Sequence, residues 1–215
     1  MTMKIILFFF IIFSHSRIIH FASSDPDQLQ DFCIPHNNSS PSLPCKNSTL
    51  VRVEDFIFSG IKNPGKFKNG FSGVSVTSDA FPGLNTLGMS FVRADFEPGA
   101  INVPHYHPRA TETAFLLKGT MYSGFVDSQN RVYAKVIEEG EVMVFPKGLL
   151  HFQMNVGDGK ATILGSFNSQ NPGVVRIPAA VFGSGIDEEL LEKAFGLNSK
   201  DTGKIRKKLG FKEHK

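Results

Sequence analysis

The chain reads as an all-β protein, an antiparallel barrel or double-sheet jelly roll followed by a C-terminal α-helical segment. From Thr86 onward, short runs rich in β-branched and aromatic residues recur between turn signals, at the spacing of about eight to twelve residues expected of such a barrel. After Pro178 the apolar residues fall at helical spacing instead. Composition agrees: 20 glycines, 12 prolines and 21 phenylalanines, without tryptophan, fit short strands joined by tight turns better than a helical bundle.

With 215 residues, 41% of them hydrophobic, the chain can bury one good core, so one domain is expected. A formal charge of +3 gives no reason to propose nucleic acid as a partner. Residues 1–24 have the order of a secretory signal peptide: a lysine in MTMK, the unbroken apolar run IILFFFIIF, polar SHSR, then small Ala22, Ser23 and Ser24 as the cleavage region at 22–24. The run is too short to span a bilayer, and no other run approaches the length needed, so the mature protein is expected to be exported and to have no membrane span.

Export makes residues 25–60 informative. Cys33 and Cys45 enclose the polar, proline-containing stretch IPHNNSSPSLP, and in an oxidising compartment two cysteines so close most simply pair with each other. The same region carries N-glycosylation acceptor patterns at Asn37, Asn38 and Asn47. Asn37 and Asn38 overlap, which makes Asn47 the first choice. From Val51 to about Asn85 the chain reads as irregular with short strands.

The barrel is expected over residues 61–180. Its strand-like runs are TLGMSFVRADF, EPGAINVP, TAFLLKG, TMYSGFVD, RVYAKVIEEG, EVMVFPKG, HFQMNVGDGK and ATILGSFNSQNPG, several alternating with period two. Over 181–215, Ile186, Leu190, Leu191, Ala194 and Phe195 form one helical face, with Ser184 as the expected cap and Asp187, Glu188 and Glu189 at the positive end. Burial of that face against another subunit is one expectation. A second short helix is expected in KIRKKLGFKEHK, read first as a solvated face and second as a contact for an acidic polymer or partner.

Chemistry concentrates in PHYHPRATET. Residues two apart on a strand point to the same side, so His105 and His107 can present two imidazoles to one point. The turn Pro108-Arg109-Ala110-Thr111 is short enough to bring Glu112 to the same place. Two histidines on a wet strand would be the default reading. A second segment, GEVMVFPKGLLHFQMN, overturns it by supplying His151 after a Pro-x-Gly turn as the natural fourth ligand. Three imidazoles and a carboxylate leave open positions on a six-coordinate ion, which suits Mn or Fe, and zinc would also accept these four ligands.

The same residues carry a family resemblance. Gly99, His105, His107, Glu112 and Gly119, then Gly140, Pro146, Gly148, His151 and Asn155, fill every specified position of the two cupin motifs in their germin form. The paired cysteines and FNSQNPGVVRIPAAVFGSGI extend the resemblance to plant germin-like proteins over essentially the whole chain. It implies a single-cupin jelly-roll β-barrel whose C-terminal helices interlock subunits into a hexamer. It also implies manganese on His105, His107, Glu112 and His151, and a secreted glycoprotein of the apoplast or cell wall with a role in defence or wall processes.

Many germin-like proteins are associated with superoxide dismutase activity, whereas the founding germins oxidise oxalate, which two cavity asparagines are thought to hold. One is matched by Asn102 and the other position is Val92. An isopropyl group offers oxalate no donor, so oxalate oxidase activity is expected to be disfavoured. A non-catalytic ligand-binding, receptor-like or matrix protein with a structural metal, or a cupin recruited for specialised metabolism, is the alternative reading.

Overall fold

The computed structural model describes residues 30–36 and 44–209. The leader expected over 1–24, Asn37, Asn38 and the end of the basic tail lie outside the described residues. Among these, the strands are β1 Phe71–Val76, β2 Ser90–Phe96, β3 Ile101–Tyr106, β4 Glu112–Lys118, β5 Thr120–Val126, β6 Val132–Glu138, β7 Val142–Phe145, β8 Leu150–Asn155, β9 Ala161–Phe167 and β10 Val175–Arg176. They form two five-stranded antiparallel sheets, ordered β1-β2-β9-β4-β7 and β10-β3-β8-β5-β6, which is the expected jelly roll. Strands β2 to β9 fall on the eight expected runs, and β1 lies in the stretch read as irregular with short strands.

Period-two alternation decides what faces inward. In β4, Glu112, Ala114 and Leu116 are buried while Thr113 and Phe115 are exposed. In β8 the buried set is His151, Gln153 and Asn155. Phe96, Leu116, Met121, Phe145 and Ile163 pack into the apolar core, so Glu112 and His151 share faces with core residues and are carried inside by them.

Asn155 is fully buried and acts as a structural clasp. Its amide donates to the carbonyls of Phe96, Glu97 and Gly159 at 3.3, 3.1 and 2.8 Å, and its oxygen accepts from the Gly157 amide at 3.0 Å. β6 is the edge of its sheet, with Val132 and Val136 exposed and only Ile137 buried.

The C-terminal region is helical, with different boundaries. α1 spans Ile177–Phe182, α2 Glu188–Phe195 and α3 Ser199–Leu209. Asp187, rather than Ser184, caps α2: its carboxylate accepts the Leu190 amide at 3.1 Å. Ser184 and Gly185 stand before the helix, and Gly185 has a positive φ of 88°. On the expected apolar face of α2, Leu191 is buried while Leu190 and Phe195 are exposed. α3 begins earlier than expected, and not all of its basic face is solvated. Arg206 donates to Glu188 at 3.2 Å and to the Ile186 carbonyl at 3.1 Å, tying α3 to α2.

Near the start of the described chain, Cys33 and Cys45 form a disulfide with Cα atoms 5.0 Å apart. Flanking backbone bonds, Lys46 to Ile34 at 2.7 Å and His36 to Pro44 at 2.9 Å, pair the two cysteine segments antiparallel. Asn85 fastens the pair to the barrel body by donating to the Cys33 carbonyl at 2.9 Å. Loop-closure entropy assigns such a bridge about 3 kcal/mol. Replacing both cysteines by serine is therefore expected to lower the urea unfolding free energy by about that amount. An unchanged midpoint and slope would contradict a stabilising role.

Candidate metal centre

His105 lies on β3, His107 one residue past its end, Glu112 at the start of β4 and His151 on β8. The register of β3 with β8 sets His105 directly opposite His151, and their rings lie 4.2 Å apart. Gly148, at φ 76°, makes the turn between β7 and β8, and its amide donates to the His107 carbonyl at 3.1 Å. That bond draws the β8 entry against the loop holding His107. All four side chains are buried, and their ligand atoms lie within 4.8 Å of one another.

The second ring nitrogens fix how the imidazoles face. Nδ1 of His105 donates to the Val103 carbonyl at 2.8 Å, Nδ1 of His151 to the Leu149 carbonyl at 2.9 Å, and Nδ1 of His107 to the Gly173 carbonyl. A carbonyl can only accept, so each neutral ring carries its proton on Nδ1 and offers an Nε2 lone pair. Glu112 Oε2 meets Nε2 of His107 at 3.1 Å and Nε2 of His151 at 3.2 Å. Lone pair against lone pair is repulsive. Such contacts need positive charge between them, either protons that make imidazolium or one cation shared by all four groups. The donor set thus fits a metal ion, and the outer carbonyls are the partners that hold imidazole ligands in the correct tautomer.

Gly173 belongs to a strap. Arg109 donates through Nε to the Asn171 carbonyl at 2.7 Å and through Nη2 to Asn171 Oδ1 at 2.8 Å, and its amide donates to the Pro172 carbonyl at 3.1 Å. These bonds bind residues 171–173 to the loop after β3 and so position His107.

A cavity of about 220 Å³ opens on the centre. Val92 and Asn102 line it, together with the apolar Phe91, Ile163 and Phe167. Asn102 Nδ2 stands 3.4 Å from His105 Nε2 and donates to Gln153 Oε1 at 2.9 Å. Two residues beside the ligands escaped the sequence reading. Gln153 is one, although its place two residues after His151 on the same strand was the signal that could have found it. Gly165 is the other: a Cβ there would lie 2.6 Å from Val92 Cγ1 and 2.8 Å from Glu112 Oε1. A lone glycine in a strand signals close approach only once its neighbours are known.

Residues 59–203 match the cupin family. Over 195 residues the chain is 64% identical to germin-like protein subfamily 3 member 2 of Arabidopsis thaliana, covering 86% of each. The chain belongs to the germin-like proteins of the cupin family. Germin-like protein 2-4 of Oryza sativa subsp. japonica is 54% identical over 200 residues, or 88% of this chain and 87% of that one. Among solved structures, an oxalate oxidase in complex with the substrate analogue glycolate is 38% identical with a TM-score of 0.80, over 86% of this chain and 97% of that one.

In the germin-like site, burial first and neighbouring His151 second lower the His105 pKa to about 3. Burial acts to raise Glu112, but its contacts with His107 and His151 outweigh it and leave it at about 2. Both groups take up protons more readily in the unfolded chain. Stability of the chelator-treated protein is therefore expected to fall as pH drops below the ordinary histidine value of 6.5 toward 3, with Glu112 adding its loss below 4.5. His105→Gln should flatten the slope of denaturation midpoint against pH between 6.5 and 4.5, and an unchanged slope would contradict the assignment.

Gly165→Ala forces Val92 or Glu112 to move. It is expected to weaken divalent-metal binding in a calorimetric titration about tenfold or more, in the range that supporting residues of metal sites show. Wild-type affinity would mean that the space is not needed.

Proposed function

We propose that this germin-like protein is a secreted, manganese-binding glycoprotein of the plant apoplast or cell wall that dismutes superoxide and serves defence or wall processes. The convergence of three imidazoles and one carboxylate on a single buried point beside an open cavity carries this reading. That set leaves positions open on a six-coordinate ion and suits Mn²⁺ or Fe, while Zn²⁺ accepts the same donors. A redox ion held there supplies one-electron cycling, with superoxide as reductant giving dioxygen and as oxidant, with two protons, giving hydrogen peroxide.

The chain's own residues do the remainder. His105, His107, Glu112 and His151 would hold the ion, the carbonyls of Val103, Gly173 and Leu149 keep the rings oriented, and Asn102, held by Gln153, places an amide beside His105. The disulfide supports export. Exposed Asn47 accepts from the Thr49 amide at 3.0 Å and hydroxyl at 2.9 Å, within its own acceptor pattern, which supports it as the glycan site. The exposed apolar residues Val132, Val136, Val142, Leu190 and Phe195 support a homo-oligomer, read as a trimer of dimers, with the basic C-terminal tail as a wall-matrix contact.

Oxalate oxidation is the second reading, favoured by the likeness to a solved oxalate oxidase. Against it, Val92 offers no donor and the Asn102 amide already donates to Gln153. A missing hydrogen bond to a charged group costs about 1.5 to 3 kcal/mol, or about 10- to 150-fold in binding. Mn-loaded protein is therefore expected to dismute superoxide and to release little peroxide from oxalate, with rapid oxalate turnover as the contradicting result. A structural metal in a receptor-like or matrix protein is the remaining alternative. His107→Ala should abolish dismutation while size-exclusion chromatography shows the wild-type assembly, whereas loss of assembly would favour the structural role.

A further inference from the structure

Arg176, at the end of β10, stands opposite His105 in the β10–β3 register. Residues directly opposite in an antiparallel pair present their side chains to the same face of the sheet, and Arg176 lines the cavity with His105 and Asn102. Its guanidinium has no hydrogen-bond or ion-pair partner among the described residues and does not cap α1.

Apart from the histidines, Glu112 and Arg176 are the charged residues lining the cavity. Glu112 is turned toward His107 and His151 and away from pairing with Arg176. With a divalent ion on the four ligands, the cavity therefore carries net positive charge at both the ligand end and Arg176. An arginine left unpaired in such a place costs nothing in desolvation while it is exposed, and it offers a planar fork of donors that matches a carboxylate or another small anion.

We propose that Arg176 is the anion-selecting residue of the cavity, drawing a small monoanion, either superoxide or a short-chain carboxylate, toward the open metal positions. The proposal rests on the metal reading for where the anion goes next, and on Arg176 alone for why an anion is preferred. Phe91, Val92 and Phe167 offer an anion no donor, and the polar residues Ser75, Thr77, Asn102, Gln153 and Asn171 of the lining carry no charge, which leaves Arg176 as the group that distinguishes an anion from a neutral molecule away from the ligands.

The test compares wild type, Arg176→Gln and Arg176→Lys by calorimetric titration with acetate and with neutral acetamide, on both metal-free and Mn-loaded protein. Metal content is measured on each sample. Arg176→Gln is expected to weaken acetate binding about 5- to 10-fold, between the value of an exposed ion pair and that of a charge-assisted bond in a cavity. Acetamide binding should be unchanged, Arg176→Lys should restore part of the preference, and the wild-type advantage should shrink with added salt. Metal content should be the same in all three proteins.

The rate of superoxide dismutation against ionic strength separates the two anion sources. If the rate falls and its salt dependence flattens in Arg176→Gln, superoxide is drawn by the arginine, whereas a change in acetate affinity alone points to a carboxylate. Acetate affinity within twofold of wild type in Arg176→Gln overturns the proposal. A wild-type protein that takes up no metal defeats the dismutase reading instead, and Arg176 is then judged on the metal-free titration.

Discussion

Four groups that would repel one another are held at one buried point. The Nε2 lone pairs of His105, His107 and His151 and the carboxylate of Glu112 meet within 4.8 Å, and burial leaves little water to relieve the conflict. A shared cation turns that conflict into a bond network. The three backbone carbonyls of Val103, Leu149 and Gly173 make this outcome specific, because they take the Nδ1 protons and leave no neutral tautomer in which the rings could donate inward.

The fold is arranged to sustain that point. Hydrophobic alternation on β4 carries Glu112 inward with Ala114 and Leu116, and His151 is carried in on the face that β8 shares with Phe125 and Met121 of β5, so burial of apolar surface supplies the free energy that offsets placing polar groups inside. The β3–β8 register sets one histidine opposite another, the 171–173 strap orients a third, and Gly165 leaves the space that the carboxylate and Val92 occupy. Val92, Asn102 and Arg176 line the cavity without belonging to the four candidate ligands, so the cavity lining can change while the ligand set stays fixed.

The jelly roll and the metal ligands were legible in the residues because both rest on local rules. Period-two alternation and regular turn signals mark strands wherever they occur, and His-x-His on one strand puts two rings on one side whatever the rest of the fold does. What depended on distant partners was not legible. Gly165 matters through Val92 and Glu112, Arg176 through its register with His105, and the edge position of β6 through the strand order of its sheet. Ser184 had the chemistry of a cap, yet Asp187 was taken because the helix starts after the Gly185 turn. Arg206 looked like one more solvated charge until the packing of α3 brought it to Glu188.

The central claim is that three neutral imidazoles, protonated on Nδ1, share one cation with Glu112. It is tested most directly by long-range ¹H–¹⁵N NMR of the histidine side chains in protein loaded with diamagnetic Zn²⁺, which accepts the same donors. The account predicts that His105, His107 and His151 all carry their proton on Nδ1 and show metal-shifted Nε2 resonances. A proton on Nε2 of any of the three in the loaded protein would contradict it.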